Sequence, residues 1–154
     1  METRFMARAI ELSIKNVNDG GGPFGSVVVK AGSIIGEGAN QVTAMRDPTA
    51  HAEMLAIRHA CKNLGAFDLE GCEIYSSCEP CPMCLGAIYW ARLAAVYFAN
   101  TAADAAAAGF DDALIYRELS LPLPQRKIPT IQVMVKDAAT AFRAWKEKPD
   151  KTAY

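Results

Sequence analysis

Apolar positions along METRFMARAIELSIKN recur at helical spacing: Phe5, Met6, Ala9, Ile10 and Val17, with Ser13 on the same stripe, predict an amphipathic first helix. The glycines of NDGGGPFG stop it. Ser26–Lys30 and Ile34–Glu37 are then two β-branched runs joined across Ala31-Gly32-Ser33, which predicts a hairpin. In the next segment Asp47 is placed to cap a helix and Pro48 to occupy its first position. Met54, Ile57, Cys61 and Leu64 form that helix's apolar stripe, and Gly65 ends it. Glu73–Ser76 predicts a third strand. Pro80 to Arg92 is apolar nearly all round, which predicts a buried helix. Leu93–Ala99 predicts a fourth strand, and ADAAAAGFDDALIYREL two short helices broken at Gly109. LSLPLPQRKIPT, with three prolines, is a connector. IQVMV predicts a fifth strand and AATAFRAWKEK a last helix. Strands alternating with helices imply an α/β layered protein, and the opening hairpin makes its sheet mixed. No repeat and no boundary divides the chain, so residues 1–154 are expected to form one domain.

Composition narrows the function classes. Of 154 residues 51% are hydrophobic and 21% charged, enough to bury a core and too ordered in character for a disordered chain. The apolar stretches fall short of the roughly 18 residues that a membrane span needs, and no secretory leader is visible. A cytoplasmic protein without a membrane partner is expected. Sixteen cations balance seventeen anions without forming a basic stripe, which disfavours nucleic acid as a partner. Five cysteines is an odd count for a disulfide framework, so the thiols are expected to be reduced and the clustered ones to bind metal. Cys61 and Cys72, outside the cluster, are expected to be small buried apolar residues.

The cluster is SCEPCPMC, residues 77–84. Cys81 and Cys84, three apart at a helix start, put two sulfurs on one side, where the helix dipole favours thiolates. Pro80 and Pro82 stiffen that turn. The chain has only two imidazoles, His51 and His59. His51 lies one turn into its helix and one turn before Met54 on the core stripe. His59 flanks Arg58 off that stripe, so His51 is assigned as the ligand. Two readings compete. Cys78, Cys81, Cys84 and His51 close a structural zinc site, leaving a binding module without catalysis. Alternatively, His51, Cys81 and Cys84 hold zinc and water takes the fourth position. Glu53, two residues from His51, is a poor ligand but stands close enough to carry a proton beside such a water. A first-turn carboxylate is also common for its effect on the helix dipole. His51-Ala52-Glu53 followed by Pro80-Cys81-Pro82-Met83-Cys84 matches the zinc-deaminase pattern H-x-E, P-C-x-x-C, which favours the open site.

DPTAHAE, SCEPCPMC and GAIYWAR resemble the cytidine deaminase-like superfamily. GGPFGSVVVK, DPTAHAEMLAIRHACK, YSSCEPCPMCLGAIYWAR, AGFDDALIY and the terminal tyrosine resemble the bacterial guanine deaminase family over nearly the whole chain. The resemblance implies a three-layer α/β/α sandwich on a five-stranded mixed sheet, and zinc-dependent hydrolysis of guanine to xanthine and ammonia. Carried over, it makes His51, Cys81 and Cys84 the zinc ligands and Glu53 the catalytic proton shuttle. It makes Asn40 a hydrogen-bonding partner of the purine, Phe24 and Trp90 aromatic walls, and Asp112 the carboxylate that reads the amidine-like edge. Tyr154 reaches the pocket of a neighbouring subunit. It also implies a homodimer that exchanges residues 131–154, with 120–130 as the hinge. Taken singly, these residues have simpler readings: Asn40 turns the chain, Asp111 or Asp112 caps a helix, Phe24 and Trp90 are core, and Tyr154 is a frayed end. Cys78 takes no ligand role in this scheme. The rival enzymes are deaminases of guanosine, cytosine, cytidine or transfer-RNA adenosine.

Overall fold

The structure, a computed structural model, describes residues 2–153 apart from the side chains of residues 135 and 136. The chain forms two compact units, one ending at Asp112 and the other beginning at Ala113. The first is built on a four-stranded sheet of β1 (Gly25–Lys30), β2 (Ser33–Ala39), β3 (Glu73–Cys78) and β4 (Ala95–Asn100), in the order β2-β1-β3-β4. β1 runs antiparallel to both neighbours and β4 parallel to β3, so the sheet is mixed. The hairpin turns on Ala31 and Gly32, both at positive φ (48° and 76°), the geometry whose twist matches the flanking strands.

Strand alternation sends side chains to two cores. Val27, Val29 and Tyr75 pack with Phe5 of α1 (Thr3–Asn18) on one face. Val28 and Ile74 pack with Ala56 and Ala60 of α3 (Ala52–Leu64) and Ile88 of α4 (Pro82–Trp90) on the other. Small residues bring these layers close. A Cβ at Gly38 would lie 2.2 Å from the Ala52 carbonyl, and one at Gly36 2.4 Å from that of Ala56, so only glycine lets α3 rest on β2. No helix among the described residues is long and apolar enough to cross a membrane.

Three expectations change. The histidine-bearing helix starts at Ala52, not Pro48. Asp47 accepts hydrogen bonds from the Thr49 amide (2.8 Å) and hydroxyl (2.7 Å), capping a turn, after the one-turn helix α2 (Val42–Met45). Helix α4 buries only Cys84 and Ile88, while Leu85, Tyr89 and Trp90 are exposed. One side of α4 meets the sheet and the rest is uncovered in the single chain. Finally, the sheet has four strands among the described residues, not five. Residues 131–134 are unpaired and α7 (Val135–Glu147) begins directly after them. A β-branched run becomes a strand only against a partner ladder.

After α5 (Ala102–Ala107), Gly109 turns at φ 94° as the break predicted, and the first unit ends at Asp112. The second unit holds α6 (Ala113–Ser120), a 3-10 turn at Leu123–Gln125 and α7. Leu114, Ile115, Leu119, Ile128 and Pro129 line an apolar groove of about 620 Å³ within it.

Candidate active site

Two helix starts and the strand between them assemble the site. His51 is the residue just before α3, held extended (φ −72°, ψ 157°), so its ring projects from the helix end rather than along its side. Cys81 stands in the same position before α4 (φ −64°, ψ 167°), with Pro82 as the first helical residue, and Cys84 lies one turn in. Both ends present backbone amides and the positive pole of a helix to whatever sits between them.

His51 Nδ1 lies 3.6 Å from the Cys81 sulfur and 3.6 Å from the Cys84 sulfur. Zinc bonds of about 2.3 Å to sulfur and 2.0–2.1 Å to nitrogen, meeting at a tetrahedral angle, separate the two atoms by about 3.6 Å. One donor atom from each of the three residues falls within 4.8 Å of the others, and theirs is the one such group among the described residues. The donor set fits zinc. Cys78 is outside it: its buried thiol donates to the Thr101 carbonyl at 3.6 Å, and burial pushes that thiol up, against ionisation. His59 is also outside, its Nδ1 2.7 Å from the Glu37 carbonyl oxygen.

The electrostatics follow from crowding. The contact with the Cys84 sulfur, and then that with His51, hold Cys81 well below the ordinary thiol value. The same contact, with burial, pushes Cys84 upward. His51 is raised by its contact with Cys81. Glu53, in the first turn of α3, is 5% exposed, and burial raises its carboxyl above the usual range. One oxygen accepts from the Ser76 hydroxyl at 2.6 Å and the other from the Cys84 thiol at 3.4 Å. A carboxyl held half-ready to bind a proton, against a metal-binding pair, is suited to acid–base work.

Asn40 ends β2. Its amide donates to the Phe24 carbonyl (3.1 Å) and its side-chain oxygen accepts from the Val42 amide (3.3 Å), so it does turn the chain. Phe24 meets Phe110 edge to face at 4.9 Å. Asp112 is half-buried, and its carboxyl is raised first by burial and then by the negative charge on Cys81. Trp90 is apart. It ends α4 eight residues beyond Pro82, about 12 Å along the helix axis, and is 72% exposed. Tyr154 lies outside the described residues. Two contributors escaped the sequence reading. Phe110 stands inside AGFDD, where only the aspartate drew notice. Ser76 is a polar residue on the inward face of a strand, which is the signal that could have found it.

Residues 1–100 match the family described as the cytidine and deoxycytidylate deaminase zinc-binding region. Guanine deaminase of Bacillus subtilis (strain 168) is 55% identical over 151 residues, 97% of each chain. The crystal structure of guanine deaminase from that organism superposes with a TM-score of 0.97 over 100% of this chain and 99% of that one, at 54% identity. Guanine deaminase of Nitrosomonas europaea is similar in structure, with a TM-score of 0.68 and 36% identity over 70% of this chain and 63% of its own. Transfer-RNA-specific adenosine deaminase of Aquifex aeolicus is 44% identical, over 61% of this chain and 62% of its own.

Proposed function

The chain belongs to the cytidine and deoxycytidylate deaminase family, and on that premise we propose that it hydrolyses guanine to xanthine and ammonia. The substrate rests on one observation. Likeness to guanine deaminase runs the length of the chain, including the segment past residue 112, whereas likeness to the transfer-RNA enzyme covers 61% of it.

His51, Cys81 and Cys84 hold zinc, which when bound supplies a Lewis acid able to make water a nucleophile near neutral pH. Glu53 takes the proton of the water that attacks C2 and passes it to a ring nitrogen. It then takes the remaining proton of the hydroxyl now on C2 and gives it to the amino group; the C2–N bond breaks, the C2 oxygen becomes the carbonyl of xanthine, and ammonia leaves. One carboxyl acts first as base and then as acid, which the raised value produced by its burial favours. The purine lies against Phe24, hydrogen-bonds Asn40 and presents its amidine-like edge to Asp112. The charge of Cys81 near Asp112 supports this placement. Buried polar groups of this kind select a base because a wrong one leaves them unpaired.

The protein acts as a homodimer in which residues 131–154 cross to the partner, hinged at 120–130. β4 is an open edge of the sheet among the described residues, and 131–134 belong to no ladder, with Ile131 78% exposed. Pairing between copies supplies the fifth strand, brings the exposed Trp90 into an interface and carries Tyr154 into the neighbour's pocket. All five cysteines are free, which suits the reducing cytoplasm.

An ammonia-release screen of the zinc-loaded protein against guanine, guanosine, adenine, cytosine and cytidine tests the reading. Guanine should be consumed, with xanthine appearing mole for mole, at least about 100-fold faster than the others. Equal or faster release from any other substrate overturns the assignment.

A further inference from the structure

β3 sends Ile74, Ser76 and Cys78 to one face of the sheet, and Ile74 packs there among Ala56, Ala60 and Ile88. An apolar residue would continue that row. Instead Ser76, 1% exposed, donates its hydroxyl to Glu53 Oε1 at 2.6 Å, the length of a strong hydroxyl–carboxylate bond. The other oxygen, Oε2, is the one turned toward the sulfur of Cys84, 3.4 Å away. The two ends of the carboxyl therefore meet different surroundings, one a fixed donor in the strand and the other the metal-binding pair. No buried side-chain polar atom among the described residues lacks a partner, so this bond is part of a closed network.

We propose that Ser76 is a positioning residue for the proton shuttle: its hydroxyl pins Oε1 of Glu53 so that Oε2 alone faces the reacting atoms. The inference rests on the reading of Glu53 given above. A carboxyl free to rotate about its last bond, or to swing back toward the strand, spends less time aligned with the water and the leaving amine. Transfer then slows although nothing that binds the purine or the metal has changed. Ser76 is outside the metal-binding group and its hydroxyl is given to Glu53, so its contribution belongs to turnover and not to affinity.

Steady-state kinetics on guanine with S76A, S76T, S76V, E53Q and the S76A/E53Q double variant, each zinc-loaded and assayed for metal content, test this. Thr and Val share a shape and differ in the hydroxyl. S76A and S76V should lose about 10–100-fold in kcat, with KM within about twofold and one zinc per chain. S76T should return kcat to within about threefold of the parent. In the E53Q background, S76A should produce no further loss, because the residue acts only through the carboxyl. Wild-type kcat in S76V beside an inactive E53Q overturns the proposal and leaves the shuttle reading intact. A loss in S76T equal to that in S76V, or an undiminished S76A effect on the residual rate of E53Q, marks a packing role and also overturns it. Wild-type turnover in E53Q would sink the shuttle reading itself, and the inference with it.

Discussion

Cys78 and Cys84 sit six residues apart and both are buried, yet only one belongs to the metal group. The difference is local. Cys84 occupies the first turn of α4, where amides and dipole face it, while Cys78 ends β3 with its thiol donated to Thr101. Cys78→Ala should therefore keep one zinc per chain by metal analysis and kcat within about threefold, at a stability cost of about 1 kcal/mol. Loss of zinc would restore the four-ligand reading. Ligand identity was legible in the sequence because H-x-E and P-C-x-x-C are short-range patterns whose geometry a helix start dictates. Ser76 and Phe110 were not legible in that way. Their partners, Glu53 and Phe24, are 23 and 86 residues distant, and only the fold brings them together.

The elements were mostly readable, and the misreadings have physical causes. Asp47-Pro48 has the chemistry of a helix start, but Thr49 takes up the aspartate in a turn, and the helix waits until His51 has been aimed at the cysteines. IQVMV has strand composition without a strand beside it in the single chain. The glycines of β2 show how closely element packing and site geometry are linked. Gly38→Ala would press on the Ala52 carbonyl, in the turn that carries His51 and Glu53, whereas Gly36→Ala presses on Ala56, one turn further on. Each should destabilise by about 1–3 kcal/mol in chemical denaturation. Zinc affinity should fall mainly in Gly38→Ala, and equal affinity in the two variants would refute that link. A second bond between elements reports on pH. Arg8 of α1 grips Glu37 of β2 with two hydrogen bonds of 2.8 Å and holds its carboxyl below the ordinary 4.5. A carboxyl depressed by folding stabilises above its unfolded value and stops doing so as pH falls through the lower folded value. Both side chains are about one-third exposed, 36% and 35%, so the contribution is at most about 1 kcal/mol. Glu37→Gln should cost that much near pH 7, and its difference from the parent should shrink as pH falls below 4.5 and vanish once pH is below the lowered folded value. A difference that persists there would mean that packing, not charge, is lost.

At the scale of the whole molecule, the question is which copy completes which pocket. If residues 131–154 are exchanged, each active site takes Glu53 from one chain and Tyr154 from the other. A chain carrying Glu53→Gln is then inactive alone, and a chain lacking Tyr154 is impaired alone. In a dimer of the two, one site combines an intact Glu53 with the tyrosine supplied by its neighbour, while the other site has neither. Random pairing of equal amounts, by co-expression with separate affinity tags, places half of the chains in such dimers, so activity should return to about a quarter of wild type. Dimers purified through both tags should reach about half. If each tyrosine serves its own chain, every site in the mixed dimer lacks one of the two groups, and mixing restores nothing. The outcome turns on an exchange of chain rather than on the strength of any contact. Turnover of the mixed dimer, measured beside each variant alone and with light scattering to confirm the dimer, therefore separates the two arrangements.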